Sequence, residues 1–286
     1  MGKKTMLVSL AVILGLLAIF AYSSEYELRF VPNKPYLRPE KNVPAPDELG
    51  DKFELKGGSE RDNRGFPQRK IEDLASQYPK LFYREGPRNV KKVALTFDDG
   101  PDSVYTPQIL DVLRKHKVKA TFFLVGERAE LFPDVVKKIV KGGHVIGNHS
   151  MTHPNIMKLN KEQTFQEIQK CEDVLSALTG YKPALFRSPY GSLDSQKVEE
   201  ISELDVKLIA WNIDSLDWKS LTAEQVKANI LENVREGSII LQHSSGSKKE
   251  NLTGSVAALD EVIKTLKKEK YKFVTVSELL DIPYKK

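Results

Sequence analysis

Short apolar runs alternate with segments of helical periodicity from about Asn89 to the end of the chain. Runs of this length, rich in β-branched and aromatic residues and bounded by turn residues, predict strands. The predicted strands are Val93–Phe97, Ala120–Val125, His144–Gly147, Ala184–Arg187, Val206–Asn212, Ser238–Gln242 and Lys272–Val276. The segments between them predict amphipathic helices.

Several helix ends can be predicted from single residues. We expect Thr106 to cap a helix that has Pro107 at its first position. Asn160 and Thr222 are each followed three residues later by a glutamine, as in capping boxes. Two glycines are predicted to end helices, Gly142 and Gly180.

Strands that alternate with helices indicate an α/β fold with a parallel sheet. About seven such units favour a distorted (β/α) barrel of about seven parallel strands, and an open doubly wound sheet is the alternative. In both folds the chemistry lies beyond the carboxyl ends of the strands. Polar residues that follow the predicted strands are therefore the candidate site.

The first 88 residues have a different composition. Lys3 and Lys4 precede the apolar run Met6–Tyr22, so residues 1–23 are predicted to be a signal peptide or an N-terminal membrane anchor. Ala21-Tyr22-Ser23 would be a tolerable cleavage site, but we favour a retained anchor. The protein is therefore expected outside the cell, anchored to the membrane or secreted, at the cell wall.

Residues 24–88 are rich in proline, glycine and charge, which predicts a linker. Within it, apolar residues at helical spacing predict one short amphipathic helix: Ile71, Leu74, Ala75, Tyr78 and Leu81. Residues 89–286 are predicted to form the catalytic domain.

Composition limits the functions that need to be considered. Hydrophobic residues make up 40% and charged residues 29% of the chain, as in ordinary globular proteins. The net charge of +5 is spread along the sequence without a basic stripe, so we expect no nucleic acid partner. Cys171 is the single cysteine, which excludes an intramolecular disulfide and leaves histidines and carboxylates as candidate metal ligands.

Candidate metal ligands follow two of the predicted strands. Asp98 and Asp99 end the first strand, and two adjacent carboxylates are costly to bury unless a cation lies beside them. His149 and His153 follow the third strand, four residues apart, so both imidazoles can reach one ion. His243 ends the sixth strand.

The remaining strand ends carry further polar and aromatic groups. They are Arg187-Ser188-Pro189-Tyr190-Gly191, Asp214-Ser215-Leu216-Asp217-Trp218 and Leu241-Gln242-His243. With Thr96-Phe97-Asp98-Asp99-Gly100-Pro101 and the two-histidine segment, these motifs resemble, in order, the polysaccharide deacetylase family with its NodB-homology domain, also called carbohydrate esterase family four. The resemblance covers about Lys91 to Ser277.

The resemblance implies a division of labour among these residues. Asp99, His149 and His153 match the family's metal ligands for a divalent ion, which would be Zn²⁺, with Co²⁺ as a substitute. Asp98 matches the general base, and Arg187 the residue that orients this base and keeps it ionised.

The same resemblance assigns the acid and the pocket. His243 matches the general acid, and we expect Asp214 to be its charge partner. The backbone N–H of Tyr190 would stabilise the oxyanion. Trp218 and Leu241 would wall the acetyl pocket, with Asp217 expected as a further substrate-binding residue. Many members have an acid after the histidine, where this chain has Ser244 and Ser245. The local hydrogen bonding of His243 is therefore left open.

These residues predict a metal-dependent N-deacetylase of cell-wall polysaccharide. Its partners would be the membrane and an N-acetylated glycan: peptidoglycan, at N-acetylglucosamine or N-acetylmuramic acid, or chitin-type oligomers. Two alternatives remain, an O-acetyl esterase acting on acetylated polysaccharide and a non-catalytic wall-binding protein.

Overall fold

A computed structural model of the chain describes residues 68–247 and 250–286. The described residues form one parallel sheet of nine strands. The strands are β1 Phe82–Tyr83, β2 Lys92–Asp98, β3 Thr121–Leu124, β4 Val145–Asn148, β5 Leu185–Phe186, β6 Lys207–Ile209, β7 Ile213–Asp214, β8 Ser238–His243 and β9 Lys272–Phe273.

Helices connect most of these strands. They are α1 Gln68–Gln77, α2 Tyr105–His116, α3 Gly126–Leu131, α4 Pro133–Lys141, α5 Lys161–Thr179, α6 Ser195–Ser202, α7 Ala223–Leu231, α8 Thr253–Lys268 and α9 Val276–Leu280. Three 3₁₀ helices follow strands, at Ile156–Lys158, Pro189–Gly191 and Asp217–Lys219.

The sheet curls into a barrel. Its strand order is β1-β6-β5-β4-β3-β2-β8-β7, and β9 pairs with the start of β2. The two edges of the sheet meet just after β1. There Glu85 forms an antiparallel bridge with Ser238, and the N–H of Gly86 donates to the carbonyl of Gly237 over 2.7 Å. The predicted parallel barrel is thus confirmed, with nine strands rather than seven.

Alternate side chains of β2 belong to two different core clusters, one outside the barrel and one inside it, and this alternation shows which face carries the site. Val93, Leu95 and Phe97 belong to a core cluster shared with α2, α5, α7 and α8. Ala94 belongs to a second cluster that includes Leu241 of β8 and lines the interior of the barrel. Because successive strand residues face opposite sides, Asp98 shares the interior face with Ala94.

One predicted strand is two strands in the structure. We predicted Val206–Asn212 as one element, but β6 ends at Ile209 and β7 begins at Ile213. Between them the chain crosses to β8, where the side-chain oxygen of Asn212 accepts from the N–H of Ile239 over 2.8 Å. The two strands look like one element in the sequence because both are mostly buried, so apolar residues continue from the first strand into the second.

Four of the five predicted helix ends are confirmed. Asn160 and Thr222 form complete capping boxes, and Gly142 and Gly180 end α4 and α5. The prediction for Thr106 is wrong, because this residue lies inside α2 and its hydroxyl donates to the carbonyl of Ser244. Asp102 takes its place, since its carboxylate accepts the N–H groups of Val104 and Thr106.

Two elements precede residue 89, where we expected the catalytic domain to begin. β1 pairs with β6 in the sheet, and Leu74 of α1 is buried in the interior cluster. The predicted anchor Met6–Tyr22 lies outside the described residues. Among the described residues, no helix is both long enough and apolar enough to cross a membrane.

The capping box of α5 gives a stability prediction. In Asn160→Ala the N–H of Gln163 loses its acceptor, so the free energy of unfolding should fall by about 0.5–2 kcal/mol. Urea denaturation followed by circular dichroism measures this change. An unchanged midpoint would show that the box does not stabilise the domain, and activity should be unaffected because neither Asn160 nor any residue of α5 lines the cleft.

Candidate active site

The carboxyl ends of the strands surround a cleft of about 350 Å³ that is open to solvent. The parallel sheet brings these ends together although the residues are far apart in sequence. The register places Asp98 directly beside His243. The lining residues are Asp98, Asp99, His149, His153, Ser188, Tyr190, Gly191, Trp211, Asp214, Trp218, Leu241 and His243.

Three of the predicted ligands converge on one point. Asp99, His149 and His153 are all buried, and their candidate ligand atoms lie within 4.8 Å of one another. The Nε2 atoms of His149 and His153 lie 3.3 and 3.1 Å from Oδ1 of Asp99. Two ligands that each lie about 2.0–2.1 Å from a tetrahedral ion are about 3.3 Å apart, so this spacing fits a divalent ion.

The contacts behind the histidines also fit a metal site. Nδ1 of His149 lies 2.8 Å from the carbonyl oxygen of Arg187. A carbonyl only accepts hydrogen bonds, so Nδ1 must carry the proton, and Nε2 is left with the lone pair that a metal needs. Nδ1 of His153 lies 3.2 Å from the hydroxyl of Tyr190, which holds the second ring.

Arg187 holds the second carboxylate of the pair. Its Nη1 donates to Oδ1 of Asp98 over 2.7 Å and to the hydroxyl of Thr96 over 2.8 Å. Both Arg187 and Asp98 are almost completely buried. Burial lowers the pKa of Arg187, and the neighbouring Asp98 opposes this change. Arg187 therefore holds the Asp98 carboxylate in place from behind the cleft and is not itself one of the lining residues.

Several site residues have left-handed backbone conformations. Asp99, Ser150, His153 and Tyr190 have φ angles of 68°, 66°, 59° and 60°. Such conformations cost about 1–2 kcal/mol for a non-glycine residue. They persist only where the surrounding contacts fix them, and they tend to cluster at functional sites.

The structure corrects the expected partner of His243. Nδ1 of His243 lies 2.7 Å from Oδ1 of Asp217, and the backbone N–H of His243 donates to Oδ2 of Asp217 over 2.9 Å. The hydroxyl of Ser255, which the sequence did not indicate, donates to the same Oδ2 over 2.7 Å. Asp217 is fully buried behind the ring, so it cannot contact substrate as we expected.

Asp214 instead lies on the wall of the cleft. Its Oδ1 accepts the N–H of Leu216 over 2.8 Å, and Leu216 has a φ of 56°. This tight turn after β7 directs Asp217 inward and leaves Asp214 at the rim. Burial raises the pKa of Asp214 to about 6, although the bond from Leu216 and the nearby His243 act in the opposite direction. Burial alone would also raise the pKa of Asp217, but His243 outweighs it and the pKa is lowered.

Aromatic and apolar side chains complete the cleft. Tyr190, Trp218 and Leu241 line it. The sequence analysis assigned Trp218 and Leu241 to the wall of the acetyl pocket, and Tyr190 to the oxyanion through its backbone N–H. Trp211, which we did not predict as a site residue, also lines the cleft, and its ring lies 5.6 Å from the guanidinium of Arg187. Its position after the end of β6 was the signal that could have identified it.

Comparison with known proteins agrees with this geometry. The model of a family described as polysaccharide deacetylase matches residues 85–209. A peptidoglycan-N-acetylglucosamine deacetylase of Bacillus cereus is 46% identical over 194 residues, which are 68% of this chain and 70% of that protein. This chain belongs to the polysaccharide deacetylase family. The resemblance seen in the motifs is therefore confirmed, and the chain is a hydrolase of this metal-dependent family.

Two further relatives of this deacetylase are informative. The crystal structure of a peptidoglycan N-acetylglucosamine deacetylase superposes with a TM-score of 0.71 at 43% identity, covering 74% of this chain and 98% of that one. The peptidoglycan-N-acetylmuramic acid deacetylase PdaC of Bacillus subtilis is 36% identical over 68% of this chain. This chain spans only 40% of the length of PdaC.

The segment after His243 shows how the deacetylase accommodates Ser244 and Ser245. The N–H and hydroxyl of Ser244 both donate to the carbonyl of Asp98, over 2.9 and 3.2 Å. Arg128 contacts the hydroxyl of Ser245 and donates to the carbonyl of Gly246 over 3.0 Å. A Cβ at Gly100 would overlap the Ser244 hydroxyl, so a larger residue there would displace this hydroxyl from its bond to Asp98.

Metal binding can be tested directly. The purified deacetylase should carry about one divalent ion per chain, and His149→Ala and His153→Ala should each lose it, because a catalytic zinc site is typically held by three protein ligands and each variant leaves two. Elemental analysis after gel filtration measures the content. His116→Ala, on α2 outside the cleft, is the matched control. Full metal content in the double variant would refute the assignment.

The raised pKa of Asp214 predicts a pH-dependent stability. The folded protein favours the neutral carboxyl, so above about pH 6 the charge of Asp214 destabilises the fold, and below about pH 4 the effect is absent. A shift of about two units corresponds to about 3 kcal/mol, and the position of Asp214 at the solvent-facing cleft wall reduces this to about 1–2 kcal/mol.

Asp214→Asn should therefore raise the free energy of unfolding at pH 7.5 and have no effect below about pH 4, as measured by urea titrations at both pH values. Asp111→Asn, an exposed carboxylate on α2, is the matched control. A difference that is the same at both pH values would contradict the raised pKa.

Proposed function

We propose that the chain hydrolyses the N-acetyl groups of peptidoglycan, with N-acetylglucosamine units as the substrate. The observation that carries this proposal is the placement of Asp98 and His243 next to each other in the sheet register, beside the three candidate ligands and in one cleft. The relatives support the substrate, because the more similar one acts on N-acetylglucosamine by its name. A non-catalytic role would not require this complete set.

Asp98 acts as the general base. A zinc ion on Asp99, His149 and His153 would polarise the acetyl carbonyl and make water a stronger acid. Oδ1 of Asp98 is held by Arg187, and its Oδ2 lies 3.8 Å from Nε2 of His149. Asp98 therefore presents Oδ2 toward the ligands, where it accepts the proton of the attacking water.

His243 acts as the general acid. Its Nδ1 is held by Asp217, so Nε2 is the nitrogen that faces the cleft and donates a proton to the departing amine. Asp217 stabilises the protonated ring during this step, as the buried aspartate of a hydrolytic triad does. The backbone N–H of Tyr190, fixed by its left-handed conformation, donates to the oxyanion.

The cleft selects a small acyl group. Leu241 is buried, and together with Trp211 and Trp218 it forms an apolar wall beside the catalytic groups. An acetyl methyl can pack against this wall, whereas a longer acyl chain would have to displace buried side chains. Asp214 at the rim is placed to accept hydrogen bonds from sugar hydroxyls.

We place the catalytic domain outside the cell, close above the membrane. The apolar run Met6–Tyr22 is proposed as a retained anchor. A linker of the composition of Glu25–Arg69 has a root-mean-square reach of about 35–40 Å, taking 5–6 Å times the square root of its length. The domain would then meet newly made wall strands.

Acetate release tests the function. The purified full-length chain in detergent, supplied with zinc or cobalt, should release acetate from peptidoglycan and from chitin-type oligomers and leave free amines on glucosamine. Asp98→Asn should keep its metal and lose about two to four orders of magnitude in turnover, because the base is removed and the ligands remain.

Two outcomes would contradict the proposal. Acetate release from acetylated xylan with none from either N-acetylated polymer would identify an O-acetyl esterase. Amines that appear on muramic acid rather than on glucosamine would move the activity to N-acetylmuramic acid. Mass spectrometry of the digested peptidoglycan separates the two sugars.

A further inference from the structure

Positive charge is concentrated in four short segments of the described chain, residues 91–92, 114–119, 137–143 and 264–272. Together these segments contain fourteen lysines and arginines and one acid, Glu269. Their net charge of +13 exceeds the +5 of the whole chain, so all other residues together are net acidic. All but Lys92 of the fourteen basic residues are exposed.

The topology places the four segments at the same end of the barrel. Two of them, 91–92 and 114–119, precede or begin β2 and β3, and α2, α4 and α8 end at His116, Lys141 and Lys268. In a parallel sheet with returning helices, strand starts and helix ends lie opposite the strand ends. The four segments therefore form one surface opposite the cleft, which we call the basic face.

Direct contacts show that the basic face is continuous. Each contact joins two of the segments across a gap in the sequence. They are Lys119 Nζ to the carbonyl of Gly142, Lys267 Nζ to the carbonyl of His116 at 2.5 Å, and Lys91 Nζ to the ring of Tyr271 at 4.9 Å.

Three carboxylates at the edges of the face offset part of this charge. Asp111 pairs with Arg114 at 3.0 Å, and Asp134 pairs with Lys137 at 3.1 Å. Asp260 of α8 lies at the edge of the face and contacts Lys115, His116 and Lys264 at 2.6, 2.7 and 2.6 Å. Hydrogen bonds from Lys115, Lys264 and His116 hold the pKa of Asp260 well below its usual range. With these three carboxylates included, the net charge of the face falls from +13 to +10, so the face remains strongly positive.

We propose that the basic face docks on the anionic headgroups of the membrane surface. The charges are mostly lysines spread over helix ends, an arrangement that fits a layer of headgroups. The inference rests on the proposed membrane-proximal location, because the predicted anchor Met6–Tyr22 supplies that surface. Docking through this face turns the cleft away from the lipid and toward the glycan, so the same barrel is held in a productive orientation.

Site-specific fluorescence tests the orientation in the full-length chain. Cys171 is completely buried, so a thiol-reactive dye will label only an introduced cysteine. Lys268→Cys places the dye on the basic face, and Met157→Cys places it at the catalytic end, where Met157 is 39% exposed. Both variants are inserted into vesicles that contain lipids with nitroxide-labelled headgroups.

In vesicles of phosphatidylglycerol and phosphatidylcholine, the dye at position 268 should be quenched more strongly than the dye at 157. The difference should disappear in pure phosphatidylcholine and in about 1 M NaCl, where the Debye length is about 3 Å. Equal quenching at the two positions in anionic vesicles, or the same difference in both lipids, would overturn the proposal.

Charge removal provides the matched variants. In the 268 reporter, changing Lys264, Lys267 and Lys270 to glutamine should lower the ratio of docked to undocked protein at least about tenfold, since each lysine near an anionic surface contributes a factor of about five. The control changes Lys158, Lys161 and Lys227, which lie outside the face, and should leave the ratio unchanged. Equal losses in both variants would show a net-charge effect and overturn the proposal.

Two further measurements separate this proposal from its alternatives. The basic-face variant should keep full acetate release from soluble N-acetylglucosamine oligomers, so a failure of the proposed activity is recognised independently of docking. Soluble poly(glycerol phosphate) tests for an anionic wall polymer as the occupant. Binding to that polymer that requires Lys264, Lys267 and Lys270, without a quenching difference on vesicles, would overturn the lipid assignment.

Discussion

The buried guanidinium of Arg187 links the parts of the structure that carry the chemistry. Its Nε and Nη2 donate to the carbonyls of Ile209 and Ala210 over 3.0 and 3.1 Å, at the point where β6 ends. Its Nη1 holds Asp98 and Thr96 of β2, and its own carbonyl orients His149. Burying an isolated charge costs several kcal/mol, which these bonds offset. Three strand ends are therefore tied to one residue, two through its side chain and one through its backbone carbonyl, and the positions of the base Asp98 and the ligand His149 both depend on it.

The regular elements could be predicted from the sequence because each reflects a local rule. β2 and β8 are apolar runs, and the capping boxes at Asn160 and Thr222 depend on residues three positions apart. The elements that were missed depend on distant partners. β1 and β7 have two residues each and are strands only because β6 and β8 lie beside them. Likewise Thr106 has the properties of a cap, but a bond to Ser244, 138 residues away, determines its position.

The site residues were predictable as a set, but not the pairing of the two aspartates with His243. Asp214 and Asp217 both follow the same strand, and sequence spacing alone does not show which one lies under the imidazole. The left-handed turn at Leu216 decides it, together with the hydroxyl of Ser255 on α8. Neither is visible as a local pattern. Buried Asp217 then keeps its charge because it is paired with His243, whereas burial without such a pair raises the pKa of Asp214, and the nearby charge of Asp217 adds to this effect.

The two serines after His243 change the electrostatics of this site. Asp98, Asp99, Asp214 and Asp217 already place four carboxylates around the cleft, and Arg187 is their direct cationic partner at Asp98. An acid in place of Ser244 would add another negative charge next to the carbonyl of Asp98. An ionised carboxylate could not donate a hydrogen bond to that carbonyl, because both groups only accept. A hydroxyl can donate to that carbonyl, and the small side chain fits against Gly100. The loop that carries His243 is thus fixed by neutral hydrogen bonds and by Arg128, so the charge of Asp217 acts on the imidazole without a competing carboxylate at position 244.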